Sequence, residues 1–308
     1  MKPLHLVTPY WPHRGLPDTG RTTLVKMDAH QPTGSFKIRG VGLLCQRLQA
    51  EGVTRFVCSS GGNAGLAAAY AAQQIGAAMT VVLPSTTPAF MRGRIEALGA
   101  QVRIEGEVWD AADALARAIA DRGEAAYVSP FDHPVLWEGH ASLVDEIAAA
   151  GPAPDAIVVA VGGGGLMCGV AEGLERNGWT DTAIVAVETA GAASLAAAVA
   201  AGRPVALERI DTVASSLAAR QVADAAFIWT RKRAVVSAVV SDADAVRACK
   251  RFVDDHMTLV EPACGAALSL AYDDHPALKP YARVAVIACG GVVTSLEKLA
   301  GWSAQFGV

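Results

Sequence analysis

The run A-I-V-V-A-V-G-G-G-G-L-M-C-G-V-A-E-G-L-E, residues 156–175, decides the fold class. Residues 156–161 are apolar without alternation, which predicts a strand buried on both faces of a parallel sheet. Four glycines then form a turn, and the residues after them predict a helix. A strand, a glycine-rich turn and a helix in succession indicate an α/β fold.

The same alternation of strands and helices extends through most of the chain. Further strands are predicted at 23–27, Arg55–Cys58, 79–83, Gln101–Ile104, 126–128, 184–187, Val235–Val240 and 283–288. Helices are predicted after Lys37 and after residue 65, and at 86–98, 108–121, 136–150, Ser194–Ala201, Asp242–His256 and Pro262–Tyr272. This order predicts parallel-sheet cores with flanking helices. The segment S-P-F-D-H-P at 129–134 interrupts the order and predicts a boundary between two domains, for which 308 residues leave room.

Composition limits the class of protein. With 52% hydrophobic and 18% charged residues, the chain has the composition of a soluble globular protein. A net charge of -4 gives no basic surface, so neither nucleic acid nor a membrane is expected as a partner. The N-terminus lacks the apolar core of a signal peptide, and the alanine-rich stretch 193–201 is too short to span a bilayer. Six cysteines without a C-x-x-C pair predict reduced thiols and a cytoplasmic location rather than a zinc site or disulfides.

One lysine stands out in the stretch Q-P-T-G-S-F-K-I-R-G, residues 31–40. Apolar residues recur at helical spacing after it, and Ser35 is predicted to be the N-cap of that helix. Lys37 then lies in the first turn, where the helix dipole disfavours a positive charge. Two interpretations remain open: a surface lysine packed on Phe36, or an amine of lowered pKa that acts as a nucleophile or base.

Three glycine-rich turns each follow an apolar strand, at 59–65, 162–165 and 289–291. Ligands of open α/β sheets bind beyond the carboxyl ends of strands, so three such turns indicate one ligand held from several sides. The four glycines at 162–165 can turn their N–H groups inward at a helix N-terminus, which is typical of a phosphate site. They match neither the dinucleotide fingerprint nor the P-loop. A tight turn that only packs a helix on a strand remains the alternative.

The other two turns add polar groups. The S-S-G-G-N-A-G turn at 59–65 offers hydroxyls, N–H groups and the Asn63 amide, which suit a carboxylate or a phenolic oxygen, although a plain turn is equally consistent. Cys289 is either a polar ligand contact or an inert buried thiol. An amine, a phosphate site, a carboxylate site and a polar sulfur together fit pyridoxal 5′-phosphate (PLP) with an amino-acid substrate.

Several motifs resemble those of the PLP-dependent serine/threonine dehydratases, most closely the catabolic L-serine dehydratases and serine dehydratase-like proteins. They are Q-P-T-G-S-F-K-I-R-G, C-S-S-G-G-N-A-G, P-S-T-T-P, F-D-H-P-V-L-W-E-G-H-A-S, V-G-G-G-G-L, V-E-P-A-C-G-A-A-L and A-C-G-G. The resemblance as a whole covers residues 8–299. The resemblance implies a two-domain, tryptophan-synthase-β-like fold (fold type II) and a homodimer. The small domain would be 35–132 and the large PLP-binding domain 1–34 with 133–308.

The resemblance also implies residue roles. Lys37 would form the Schiff base with PLP and act as the catalytic base, and Phe36 would pack on the ring. Contacts to the ring hydroxyl, the phosphate and the pyridine nitrogen would come from Asn63, Gly162, Gly163, Gly164, Gly165, Leu166 and Cys289. The substrate carboxylate would meet Ser60, Gly61, Asn63 and Ala64. A monovalent cation such as K⁺ would lie beside Gly162, Glu188, Ala192, Ser194, Leu217 and Ala219.

The activity implied is amino-acid catabolism: elimination of water from L-serine, and from L-threonine, giving pyruvate or 2-oxobutanoate plus ammonia. A serine racemase or another PLP-dependent lyase or synthase is the alternative. The presence of Lys37 argues against a non-catalytic amino-acid-binding relative. In related serine racemases a serine stands where Gly61 stands here, so this chain lacks that second proton carrier. Gly61 is also predicted to leave space beside the substrate.

Overall fold

The computed structural model describes residues 2–308 and groups them into two compact units. Unit 1 comprises the described residues up to Leu6 together with Gln31–Gly139, and unit 2 comprises Val7–His30 and His140–Val308. The predicted small domain 35–132 falls inside Gln31–Gly139, whereas residues 2–6 of the predicted large domain group with unit 1. Met1, where the predicted segment 1–34 begins, lies outside the described residues. The division into functional domains stays a prediction.

Strands and helices alternate along both units. The strands are β1 (Tyr10–Pro12), β2 (Thr22–Lys26), β3 (Arg55–Cys58), β4 (Ala78–Leu83), β5 (Gln101–Ile104), β6 (Ala126–Tyr127), β7 (Ala156–Ala160), β8 (Ala183–Thr189), β9 (Val235–Val240) and β10 (Arg283–Ile287). The helices are α1 (Lys37–Ala50), α2 (Asn63–Ile75), α3 (Ala89–Ala97), α4 (Trp109–Asp121), α5 (Pro134–Ala150), α6 (Gly165–Arg176), α7 (Ser194–Ala201), α8 (Asp224–Lys232), α9 (Asp242–His256), α10 (Pro262–Tyr272) and α11 (Leu296–Phe306).

The sheet of unit 1 has four parallel strands in the order β5-β4-β3-β6. The central strands β3 and β4 carry the apolar residues of the core, and Val57 and Val82 are buried in one cluster with the inner face of α4. Helix α2 presents a run of buried alanines, which lets its backbone approach the neighbouring elements closely. Because β3 and β4 are parallel, their carboxyl ends lie at the same edge of the sheet, where the loops to α2 and α3 begin.

The sheet of unit 2 has six strands in the order β1-β2-β10-β7-β8-β9. All pairs are parallel except β1 with β2. Every residue of β7 and of β8 is buried, as expected for central strands covered on both faces. Because β10, β7 and β8 are neighbours and parallel, their carboxyl ends bring Cys289, the glycines 162–165 and Glu188 to the same edge of this sheet. The predicted α/β fold with parallel-sheet cores and flanking helices is confirmed.

Several predicted helix starts differ from the observed ones by one to three residues, and two α-helices of unit 2 after residue 140 and one strand before it are missing from the prediction. Helix α3 begins at Ala89 rather than at residue 86, because the residue before Pro88 is disfavoured in helical conformation. Ser35 does not cap α1: the cap residue is Phe36, already in helical conformation, and makes no side-chain cap hydrogen bond. Strand β1 and helices α8 and α11 are the missing elements. Within residues 2–308, no helix is both long and apolar enough to cross a bilayer.

Candidate active site

Lys37 is the first residue of α1 and is half-buried. Its Nζ donates a hydrogen bond to the carbonyl oxygen of Pro130 at 2.6 Å and lies 5.0 Å from the centroid of the Phe36 ring. Burial raises the pKa of the Cys58 thiol to about 11, while the backbone N–H of Ser60 and the charge of Lys37 lower it. The Lys37 amine therefore lies near the end of β3, where the 59–65 turn begins.

The 59–65 turn connects β3 to the first residue of α2, Asn63. Asn63 and Ala64 are buried, and the N–H of Gly62 lies 3.3 Å from the Ser60 hydroxyl, which accepts from it. A Cβ atom on Gly65 would overlap the carbonyl oxygen of Ser60, so a glycine is needed at this position. The turn therefore leads from the carboxyl end of β3 into the N-terminus of α2, a position where backbone N–H groups favour an anion such as a carboxylate.

The space predicted beside Gly61 is not open. A Cβ atom built on Gly61 would lie 2.6 Å from both Cγ2 and Oγ1 of Thr87, whose side chain occupies that position. Thr87 is buried and its N–H donates to the carbonyl oxygen of Pro84, within the P-S-T-T-P turn. The prediction of empty space is wrong, because a missing side chain leaves room that a neighbouring turn can fill.

In unit 2, the four glycines 162–165 lie between β7 and α6. A Cβ atom on Gly162 would lie 2.9 Å from the carbonyl oxygen of Ser216 and from Cα of Leu217. Gly164 has φ +89°, and a Cβ atom there would overlap the methyl group of Ala226. A side chain is excluded at both positions because the turn packs closely on its neighbours. The turn leads into the N-terminus of α6, a position where backbone N–H groups favour an anion such as a phosphate group.

Cys289 follows β10 and is only 6% exposed. A hydrogen bond with the Cys264 side chain, then burial, then the charges of Cys264, Glu261 and Asp28 raise the pKa of the Cys289 thiol well above its ordinary value. The thiol therefore stays protonated at neutral pH. A Cβ atom on Gly291, at φ +138°, would overlap the carboxyl group of Glu261, so the backbone after Cys289 also packs too closely for a side chain.

Glu188 is fully buried near the end of β8. Its carboxylate accepts the N–H groups of Leu195 and Ala196 at 2.7 and 2.8 Å, at the start of α7. Burial raises the pKa of Glu188 to about 7, against the lowering effect of these two hydrogen bonds. The Ser194 hydroxyl beside it is buried and makes no hydrogen bond within the described part of the chain. Leu217, another predicted cation ligand, has its backbone against Gly162, and its carbonyl oxygen accepts from the N–H of Ala219 at 2.7 Å.

A sequence profile described as "Pyridoxal-phosphate dependent enzyme" matches residues 1–290. The chain belongs to this family. It is 45% identical to the human L-serine dehydratase/L-threonine deaminase over 319 aligned positions, which cover 100% of this chain and 97% of that protein. It is also 45% identical to the serine dehydratase-like protein of Mus musculus, covering 99% of this chain and 96% of that protein.

Solved structures of this PLP-dependent family have the same fold. An L-serine ammonia-lyase from Rhizomucor miehei superposes with a TM-score of 0.93 at 36% identity, covering 99% of this chain and 100% of that one. Maize serine racemase superposes with a TM-score of 0.88 at 25% identity, covering 98% and 92% of the two chains. The fold is therefore that of a fold type II PLP enzyme, as predicted.

The residues present fit PLP. Within unit 2, Gly162 and Gly164 pack too closely on Leu217 and Ala226 to carry a side chain, and their turn leads into the N-terminus of α6, where backbone N–H groups favour a phosphate group. The neutral thiol of Cys289 lies at the same sheet edge, and a thiol suits an unprotonated ring nitrogen. Within unit 1, Lys37 supplies a half-buried primary amine close to the turn that carries Asn63.

Several neighbours of these residues were not foreseen from the sequence. The Pro130 carbonyl that accepts from Lys37 is a backbone group and gives no sequence signal. Cys264, the partner of Cys289, lies in a helix whose residues are all buried, so nothing in the sequence distinguishes it from the packing residues around it. Asp113, which accepts from Ser59, did leave a signal: it is an acidic residue among the alanines of the inner face of α4.

Proposed function

We propose that this PLP-dependent enzyme eliminates water from L-serine, and from L-threonine, and releases pyruvate or 2-oxobutanoate plus ammonia. The observation that carries the proposal is the position of Lys37, whose amine lies near the Ser60 turn while Gly61 offers no second acid or base. The similarity of the whole chain to proteins named L-serine dehydratase/L-threonine deaminase and L-serine ammonia-lyase supports it.

Each residue of the proposed site has its own role in the reaction. When bound, PLP supplies an electron sink that acidifies the hydrogen on the substrate Cα. The backbone N–H groups of the 60–64 turn bind the substrate carboxylate and fix the direction of the Cα–H bond. Lys37 Nζ would accept the Cα proton. Gly162, Gly163, Gly164, Gly165 and Leu166 hold the phosphate, and Phe36 and Asn63 contact the ring and its hydroxyl.

A monovalent cation belongs to the proposal as a structural ligand. The Ser194 hydroxyl is buried without a partner among residues 2–308, and the Leu217 backbone contacts Gly162 directly. A K⁺ ion held by the Glu188 carboxylate, the Ser194 hydroxyl and backbone carbonyls would stabilise the 162–165 turn. The carbonyls are those of Gly162, Ala192, Leu217 and Ala219.

Two further expectations accompany the function. We expect a homodimer, which light scattering after size exclusion measures directly. We also expect a cytoplasmic enzyme, because the cysteines of the described residues are free buried thiols of a kind that an oxidising compartment disfavours.

A 2-oxo-acid assay across L-serine, L-threonine and D-serine tests the proposal. We expect pyruvate from L-serine and 2-oxobutanoate from L-threonine in equimolar amounts with ammonia. We expect negligible D-serine, because racemisation needs a second proton carrier on the face of Cα opposite Lys37, and Gly61 carries none. Formation of D-serine at a rate comparable to pyruvate would favour the racemase alternative.

A further inference from the structure

One carboxylate in unit 1 accepts hydrogen bonds from three side chains. Asp113, on α4, accepts the hydroxyl of Ser59 at 2.5 Å and the phenol of Tyr127 through Oδ1, and Nε of Arg117 at 2.7 Å through Oδ2. The Ser59 and Tyr127 oxygens are themselves 3.1 Å apart, and the Arg117 guanidinium stacks over the Tyr127 ring. Asp113 therefore connects α4 and β6 to Ser59, the residue that follows β3.

The charge state of this cluster is fixed by its contacts. Asp113 is only 9% exposed, and an ionised carboxylate is tolerated there because it is fully hydrogen-bonded. Burial raises the pKa of the Asp113 carboxyl, but the hydrogen bonds from Ser59, Tyr127 and Arg117 lower it more, so that it lies below its ordinary value. Burial and the nearby carboxylate raise the pKa of Tyr127. At neutral pH Asp113 is thus an acceptor, and both hydroxyls donate to it.

Ser59 is the link between this cluster and the proposed substrate site. It is fully buried, and it immediately precedes the 60–64 turn. On its far side that turn is held by the close contact between the Ser60 carbonyl and Gly65. The backbone around Ser60 is therefore held at two points. The hydrogen bond to Asp113 holds Ser59, and the Ser60 carbonyl packs closely on Gly65 of α2.

We propose that Asp113 is a positioning residue for the substrate carboxylate, acting through Ser59 to hold the 60–64 turn in its binding conformation. This inference rests on the proposed function, since it takes that turn as the carboxylate site. The turn supplies its N–H groups as a set, so a small rotation at Ser59 misdirects all of them at once. Loss of Asp113 is therefore expected to weaken substrate binding more than it slows the bound substrate.

The experiment compares wild-type holoenzyme with Asp113→Asn and Ser59→Ala. Hydrogen exchange is measured by mass spectrometry on peptides covering 59–65, and the Kd of glycine, which has no leaving group, is measured by absorbance titration. We expect exchange at 59–65 and the Kd of glycine each to rise about tenfold, the size of effect produced by losing a hydrogen bond to a charged group. We expect KM for L-serine to rise with them while kcat changes about twofold or less.

Matched variants separate a positioning role of Asp113 from a general effect of the substitution on protein stability. Asp110→Asn removes the same charge from an exposed position of the same helix and should change none of these readouts. If Asp113→Asn does not fold, Tyr127→Phe removes a single donor and should show a smaller rise in exchange and in Kd. Exchange at 59–65 equal to wild type in a folded Asp113 or Tyr127 variant would overturn the inference, as would a fall in kcat with KM unchanged.

Failure of this inference differs from failure of the proposed function. The function fails if wild-type enzyme produces no 2-oxo acid, whereas exchange at 59–65 and glycine binding do not require turnover. The inference fails if those two measurements do not depend on Asp113, whatever reaction the wild-type enzyme catalyses.

Discussion

The Thr87 side chain occupies the place that a Cβ atom of residue 61 would take, with Cγ2 and Oγ1 both 2.6 Å from that position. Contacts below 3.0 Å between such atoms force a neighbour to move. Thr87 is β-branched and its backbone is tied to Pro84, so it moves at a cost. The contact between Gly61 and Thr87 therefore fixes how closely the 59–65 turn packs on the P-S-T-T-P turn.

We predict that Gly61→Ala shifts relative kcat/KM from L-threonine towards L-serine. A methyl group at this position displaces Thr87 and narrows the space for the larger substrate. One methylene-sized contact is worth about 1–3 kcal/mol, so the change in the ratio should be roughly tenfold or more. Steady-state kinetics with both substrates provides the measurement.

The double variant Gly61→Ala/Thr87→Ala is the control for this mechanism. Removing Cγ2 and Oγ1 takes away the two closest contacts, so the double variant should recover much of the threonine activity. An unchanged serine-to-threonine ratio in the single variant, or no recovery in the double variant, would refute the role of Thr87.

Lys37→Ala should abolish covalent attachment of PLP. Borohydride treatment followed by peptide mapping should place reduced PLP on the peptide that contains Lys37 in wild-type enzyme and on no peptide of the variant. Lys250→Ala, which changes an exposed lysine on α9, serves as the control and should be labelled normally at Lys37. Label on a different lysine of the wild-type enzyme would show that the assignment is wrong.

Cys289→Ser should retain substantial activity, whereas Cys289→Asp should lose at least about tenfold in kcat, or about 1.4 kcal/mol in the barrier. A hydroxyl, like the protonated thiol, leaves the ring nitrogen of PLP unprotonated, but an aspartate would hold it protonated. Because Cys264 contacts Cys289, Cys264→Ser is the matched control for disturbance of this buried region. A fully active Cys289→Asp enzyme would contradict the role assigned to the thiol.

Activity should be higher in K⁺ or NH₄⁺ than in Li⁺, because the smaller ion cannot meet widely spaced carbonyls. Ser194→Ala removes a buried hydroxyl that has no hydrogen-bond partner within residues 2–308, and it should reduce the K⁺ dependence without removing PLP. Rates and thermal midpoints measured in chloride salts at constant ionic strength test this. Equal rates in all salts would exclude a functional cation site.

Parallel strands were predicted well because their signal is strong and local. Arg55–Cys58, Gln101–Ile104 and Val235–Val240 match the observed strands residue for residue. The first and last are mainly apolar, and Gln101–Ile104 alternates polar and β-branched residues. Strand β1 escaped prediction because it has only three residues and ends in a proline, which is tolerated at a sheet edge. Helix α8 escaped because only Ala226 within it is buried, so it carries no apolar stripe.

Site residues could be predicted where the chemistry requires one residue type. The neighbours of those residues could not be predicted where tertiary packing determines which side chain lies beside them. Lys37 was correctly placed in the first turn of a helix, and Gly162 and Gly164 do lie where side chains would clash. The environment of Gly61 could not be predicted, because the turn that fills it is distant in sequence. The same holds for the hydrogen bond between Ser59 and Asp113, which joins residues brought together only by the fold.

The pairing of β2 with β10 has a consequence for biosynthesis. The two strands lie about 260 residues apart in the chain, so a ribosome adding ~5–20 residues per second completes β10 roughly 13–50 s after β2. The strands β3, β4, β5 and β6 are all made within that interval, and the four-stranded sheet can form first. During that time the edge of β2 that pairs with β10 has no partner strand, and an unpaired strand edge can pair with other chains and cause aggregation.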